Sequence, residues 1–280
     1  MAEIDVAYLR SWIGRTAEAS DIVTPGLVAR FRATLAPHLL MTEAAPPALH
    51  WCVCLPDTPM DALGPDGHAL KGGFLPPVPL PRRMWAGGAV MTTGVLRAGD
   101  VVLRRSRIED VTLKTGRSGP LCFVAVKHDY LVNARIVISE RHDIVYRGET
   151  DLKASPSPAP APAEQPEADL RETVDATPVL LFRYSALTFN AHRIHYDDPY
   201  VREVEGYDGL VVHGPLQATL MLNAAARLAG RTPEHFSYRG LAPLTAGRTF
   251  DVCAARDGEA IRTWTQSDGG TVHMKGEGRW

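Results

Sequence analysis

With 280 residues, the chain has room for two modest domains, since ordinary domains run to roughly 100–150 residues. Hydrophobic residues make up 45%, charged residues 22%, and the net charge is -2, a globular balance that excludes a disordered chain and one that coats nucleic acid. The opening MAEIDVAYLR has acids where a secretory signal needs a basic run, and nothing approaches the roughly 20 apolar residues of a membrane span, so a cytoplasmic protein without membrane or nucleic-acid partners is expected.

In chain order, Pro25 to Leu35 predicts a short helix with Thr24 as N-cap and Pro at the first helical position. Cys52 and Cys54 form a C-x-C pair, but neither Cys122 nor Cys253 supplies a second pair at metal-ligand spacing. The expectation is therefore no metal, no disulfide framework, and two small apolar residues in or beside a strand. The proline-rich stretch from Gly72 to Gly88 predicts an extended surface or crossing segment. Strands follow over Ala89 to Leu96, Val101 to Lys114, Pro120 to Tyr130 and Arg135 to Tyr146, separated by glycine-containing turns.

Between Leu152 and Pro178 the sequence is rich in Pro, Ala and acids and has no apolar period, which predicts a linker over 152–177. It divides an N-terminal half, 1–151, from a C-terminal piece, 178–280. That piece is expected to open with a strand near Val179 to Tyr184. An alanine-rich helix follows over Pro215 to Ala229, stopped by Gly230 and free of Asp and Glu. A hairpin over Thr249 to Gln266 turns at Asp257-Gly258. A long helix against a curved antiparallel sheet is an α+β pattern.

Polar chemistry concentrates just before that helix, in Ser185-Ala-Leu-Thr-Phe-Asn190-Ala-His192-Arg193-Ile-His195-Tyr196-Asp197-Asp198-Pro199. Beside it, Gly209-Leu-Val-Val-His213-Gly214-Pro215 ends an apolar run at a helix start whose N–H groups face outward to an anion. A proton-transferring histidine and an oxyanion site thus lie close in sequence. The alternative is a polar loop that only caps a helix.

The segment FNAHRIHYDDPYVREVEGYDGLVVHGPLQA resembles the MaoC-like (R)-specific enoyl-CoA hydratases. That family has a hotdog fold and a D-x-N-P-x-H loop followed by His-Gly at the start of the central helix. LGPDGHALKGGFLPPVPLPRRMWAGG and GRSGPLCFVAVKHDY resemble the N-terminal hotdog of a branch related to mesaconyl-C4-CoA and itaconyl-CoA hydratases. The resemblance implies an α+β double hotdog with a non-catalytic N-terminal half that shapes the acyl pocket. It also implies a hydro-lyase that adds water to an enoyl-CoA, with citramalyl-CoA as the product for the mesaconyl or itaconyl group.

By the same resemblance the catalytic histidine falls on His195, the helix-start glycine on Gly214, and the family's aspartate on Asn190. An amide cannot take a proton from water, so His195 has to carry more of the transfer. Arg193 replaces the motif's proline. Its planar fork suits a second substrate carboxylate, or equally an internal pair with Asp197, Asp198 or Glu205. Arg82 and Arg83 are candidates for the coenzyme phosphates, against a solvated turn, and His192, Tyr196 and His213 complete the candidate substrate-binding residues. No cofactor is expected beyond the coenzyme A of the acyl-CoA substrate, and a homodimer is possible. The rival readings are a hotdog thioesterase, which commonly needs an acid on or near the central helix, and an acyl-CoA-binding protein without turnover.

Overall fold

The computed structural model describes residues 4–116, 119–148 and 165–280. A short helix α1 (Val6–Arg10) and strand β1 (Thr16–Ile22) lead into α2 (Pro25–Leu35), and β2 (Arg82–Thr92), β3 (Val101–Gly116), β4 (Gly119–Val132) and β5 (Arg135–Arg147) complete the N-terminal half. The C-terminal half runs β6 (Leu170–Asp175), α3 (Pro178–Thr188), α4 (Asp198–Glu203), α5 (Gly214–Ala229), β7 (His235–Gly240), β8 (Thr249–Asp257), β9 (Ala260–Ser267) and β10 (Val272–Arg279). All ten strands join one antiparallel sheet in the order β1-β3-β4-β5-β2-β7-β10-β9-β8-β6, five strands from each half. This is the α+β double hotdog.

The halves meet where β2 pairs with β7, Gly87 opposite Arg239 and Gly88 opposite Tyr238. A Cβ on Gly88 would stand 2.1 Å from the Arg141 carbonyl oxygen, so glycine is required for β2 to pass there. The strand begins at Arg82, seven residues earlier than the sequence predicts. The prolines end at Pro81, and from Arg82 onward nothing denies the ladder its N–H groups.

α2 forms as predicted, with Thr24 Oγ1 accepting from Leu27 N at 3.0 Å and Phe31 and Leu35 buried. α5 buries every residue from Leu216 to Ala226. Each buried aliphatic side chain stabilises by about 1.5–3 kcal/mol, and small alanines let the sheet approach. Asn223, wholly buried in α5, fastens the halves: its Oδ1 accepts from Leu40 N at 3.0 Å and its Nδ2 donates to Pro47 O at 3.1 Å. Core side chains of α2, α3 and α5 form one continuous cluster.

Four expectations need correction. Val179 to Tyr184 is helical, part of α3, because Thr177 and Pro178 repeat the cap-and-proline start of α2, with Thr177 Oγ1 accepting from Leu180 N at 3.1 Å. The expected linker over 152–177 contains β6, whose inward positions are Leu170, Glu172 and Val174. Glu172 hides the alternation, and it is held there by Arg227 at 2.5 Å and His38 at 3.2 Å; residues 149–164 lie outside the described set. Cys52 sits in a short 3-10 turn, Leu49–Cys52, and all four cysteines are free and buried. The β8–β9 hairpin closes with Asp257 opposite Ala260, so its two-residue loop is Gly258-Glu259, one residue later than predicted.

Candidate active site

The loop that carries the candidate catalytic residues is set by what ends α3. Phe189 adopts a left-handed conformation, φ 48°, and Asn190 N donates to Ser185 O at 2.9 Å, which stops the helix. Asn190 Oδ1 then accepts from His192 N at 2.9 Å, an Asx turn that uses the amide oxygen within the loop. A 3-10 turn, Arg193–His195, leads to α4, capped by Asp197, whose Oδ1 accepts from Tyr200 N at 3.1 Å.

His195 is buried, with 6% of its surface exposed. Its Nδ1 lies 2.7 Å from Val211 O, so Nδ1 carries the proton and donates, and Nε2 is left with its lone pair. Its ring stacks on His213 at 3.6 Å between centroids, and His213 Nε2 is in turn 2.8 Å from Ser185 Oγ. Burial lowers the His195 pKa to about 4, partly opposed by the Val211 carbonyl, so the ring is neutral at pH 7 and available as a base. Burial also drives His213 well below the usual imidazole range. His213, fully buried, is therefore the floor beneath His195 and not a surface for substrate.

Immediately after His213 comes the start of α5, which no side chain caps. A Cβ on Gly214 would lie 2.9 Å from Trp85 Cε3, so only glycine fits between the helix start and the indole. Exposed N–H groups at a helix N-terminus stabilise an oxyanion, and here they adjoin a neutral, oriented imidazole.

The N-terminal half contributes a loop that was not expected in the site. Asp66 and His68 stand on a tight turn closed by Gly64 N to His68 O at 2.7 Å, and Asp66 Oδ2 is 2.9 Å from His68 Nδ1. The His68 ring lies 4.1 Å from that of His192, which meets His195 edge-on at 5.6 Å. Burial would raise the Asp66 carboxyl, but the His68 hydrogen bonds and charge outweigh it and hold Asp66 well below the usual carboxylate range. Burial lowers His192 to about 2. Asp66, His68 and His192 also present ligand atoms within 4.8 Å of one another.

The predicted arginines divide. Arg193 donates from Nε and Nη2 to Asp197 Oδ2 at 2.9 and 2.8 Å and from Nη1 to Pro65 O at 3.0 Å, with its guanidinium 4.0 Å over the Tyr200 ring. This is the internal brace, and it corrects the assignment to a substrate carboxylate. Arg82 is buried and reaches Glu205 Oε2 at 3.2 Å and Glu205 O at 2.6 Å, fastening β2 to the turn after α4 and not standing ready for a phosphate. Arg83 lines a cleft between the halves together with Asp66, Met84, His192 and Ile194. Tyr196 is 52% exposed, unlike the buried imidazoles beside it.

The model of hydroxyacyl-thioester dehydratase type 2 (Htd2) matches residues 48–246, most of both halves and the whole of this site. The chain belongs to that family. It is thus a hydro-lyase of acyl thioesters. Among its relatives, the mesaconyl-C(4)-CoA hydratase of Chloroflexus aurantiacus is 43% identical over 268 residues, 94% of each chain. A MaoC-like dehydratase from Phytophthora capsici superposes with a TM-score of 0.72 at 13% identity, covering 99% of this chain and 97% of the other. A Mycobacterium tuberculosis protein described as a double hotdog superposes at 0.55 with 16% identity and 95% of each chain covered. Among the described residues no helix is long and apolar enough to cross a membrane.

Proposed function

We propose that this family member hydrates a short branched enoyl-CoA bearing a second carboxylate, of the mesaconyl-C4-CoA type, to the corresponding hydroxyacyl-CoA. The observation that carries the reaction is the neutral His195, its Nε2 directed by the Val211 hydrogen bond and its ring backed by His213, beside the uncapped start of α5 at Gly214. The 43% identity across 94% of the chain supports the substrate class.

Water held near His195 and Asn190 gives a proton to His195 Nε2 as its oxygen bonds to the β-carbon. The displaced electron pair moves to the thioester oxygen, where the Gly214 N–H stabilises the enolate. The imidazolium then returns its proton to the α-carbon. Arg83, which shares the cleft with His192, is the cation placed to meet an anionic part of the substrate. Hotdog thioesterases commonly use an acid on or near the central helix, and α5 has none.

The test is a spectrophotometric panel of mesaconyl-, itaconyl-, crotonyl- and longer enoyl-CoA thioesters that follows loss of the conjugated double bond, with free thiol measured in parallel. Hydration of dicarboxylic substrates without thiol release is expected. His195→Ala should lower kcat by roughly 100- to 10,000-fold. Thiol release at the rate of absorbance loss would make the protein a thioesterase instead.

A further inference from the structure

Hydration of an activated double bond works best when two groups hold the attacking water, one to take its proton and one to fix its second hydrogen and share the developing charge. His195 is the first. Asn190 is poorly suited to be the second, because its amide is no base and its oxygen already accepts from His192 N at 2.9 Å. We propose that His68, oriented by Asp66, is that second group, and that the N-terminal half thereby supplies what a carboxylate at position 190 would supply. The proposal rests on the hydratase reading above.

Geometry carries it. The 2.9 Å bond between Asp66 Oδ2 and His68 Nδ1 places the proton on Nδ1 and leaves Nε2 as the free basic atom, the same tautomer that Val211 imposes on His195. A carboxylate behind an imidazole orients it and stabilises its cation. The pair is pinned to the catalytic loop: Arg193 N donates to Asp66 O at 2.9 Å and Arg193 Nη1 to Pro65 O at 3.0 Å. Gly67, between them, packs so closely on Ala191 O that a Cβ would stand 1.9 Å away. A surface turn with no role at the site needs none of this fit. His68 has a quarter of its side chain exposed, open enough to meet a water, whereas His213 lies sealed behind His195.

In the step so assigned, one O–H bond of water breaks and its proton goes to His195 Nε2, while the other hydrogen is bonded to His68 Nε2. The oxygen bonds to the β-carbon, the double-bond pair passes to the thioester oxygen, and His195 returns the proton to the α-carbon. One water is added and both imidazoles are regenerated neutral.

The experiment compares His68→Ala, Asp66→Asn and His195→Ala in the full chain, the first two also combined with Asn190→Asp, on whichever enoyl-CoA the wild type hydrates best. His68→Ala should lower kcat by about 100-fold or more and KM by less than about threefold in either direction, and the near-isosteric Asp66→Asn should lower kcat about tenfold. Asn190→Asp should restore kcat at least tenfold in the His68→Ala background, which a merely structural role of His68 does not allow. Retention of more than a tenth of kcat by His68→Ala, or no restoration by Asn190→Asp, overturns the inference while an inactive His195→Ala leaves the hydratase reading standing. An active His195→Ala removes both. Activation by added zinc, reversed by a chelator, also overturns it, since His68 Nε2 would then be a metal ligand.

Discussion

Gly67→Ala is the sharpest probe of the contact between the two halves. Gly67 has φ +87° and lies with its missing Cβ 1.9 Å from Ala191 O and 2.8 Å from Ala191 C, both backbone atoms of the loop that leads to His195. To reach ordinary contact the two loops must separate by roughly 1.5 Å, and misplacement of about 1 Å costs a reaction on the order of 100-fold. Gly72 supplies the control: its φ is +93°, but a Cβ there meets nothing nearer than Pro77 Cβ at 3.6 Å. Both alanines carry the left-handed backbone cost of about 1–3 kcal/mol, so both should lower the melting temperature by several degrees. Only Gly67→Ala should lose activity, with kcat down about 100-fold while Gly72→Ala stays within about threefold of wild type. Thermal melts and absorbance-based turnover on the same preparations decide it. Equal turnover of the two variants would refute the claim that the loop around Gly67 registers the site.

Other expectations follow from the same geometry. Arg193→Lys keeps the charge but loses the two-point contact with Asp197, so kcat/KM should fall by a similar factor on mesaconyl- and crotonyl-CoA; a loss confined to the dicarboxylic substrate would restore Arg193 as its ligand. Glu140 is fully buried, accepts from Trp51 Nε1 at 2.6 Å and lies 2.5 Å from His142, so Glu140→Gln should destabilise by about 3–5 kcal/mol in urea titration, and an unchanged midpoint would contradict that. The acid response has a definite sign: the folded pKa values of His195, His128 and His192, lowered by burial to about 4, 3 and 2, lie below the unfolded value near 6.5. The unfolded chain therefore binds more protons once pH drops under 6.5, so stability is full above that value and is lost toward pH 4, by about 3 kcal/mol for His195 alone. A urea midpoint that stays flat from pH 7.5 to 4.5 would show these rings are not buried neutral.

Local signals carried much of the architecture. Thr24-Pro25 and Gly230 mark the ends of α2 and α5 because caps act within one turn of chain, and β3, β4 and β5 declare themselves by turns on either side, whereas β1, TAEASDI, has no large apolar residue before Ile22 to mark it as a strand. α3 was hidden because Val179, Leu180 and Phe182 favour strands by type, while the cap at Thr177 decided the matter. β6 was hidden because its inward Glu172 is compensated by Arg227, a residue 55 positions away. The candidate site divides along the same line: His195 and Gly214 are legible as a motif, whereas the fate of Arg193 depends on Pro65 and that of Arg82 on Glu205, 128 and 123 positions distant. Asp66-Gly67-His68 looks like an ordinary turn in sequence, and only the approach of Ala191 reveals what the glycine is for.

The helices α2 and α5 begin differently, and this separates the two halves as receivers of an anion. In α2 the Thr24 hydroxyl occupies the Leu27 N–H at 3.0 Å, whereas the start of α5 has no such occupant. A fold built from two like halves would offer two equivalent anion-receiving helix ends, but one of them is shut by a single threonine oxygen. The oxyanion role proposed for the start of α5 therefore has no open counterpart at the start of α2, and titration of the protein with an acyl-CoA is expected to reach one thioester per polypeptide.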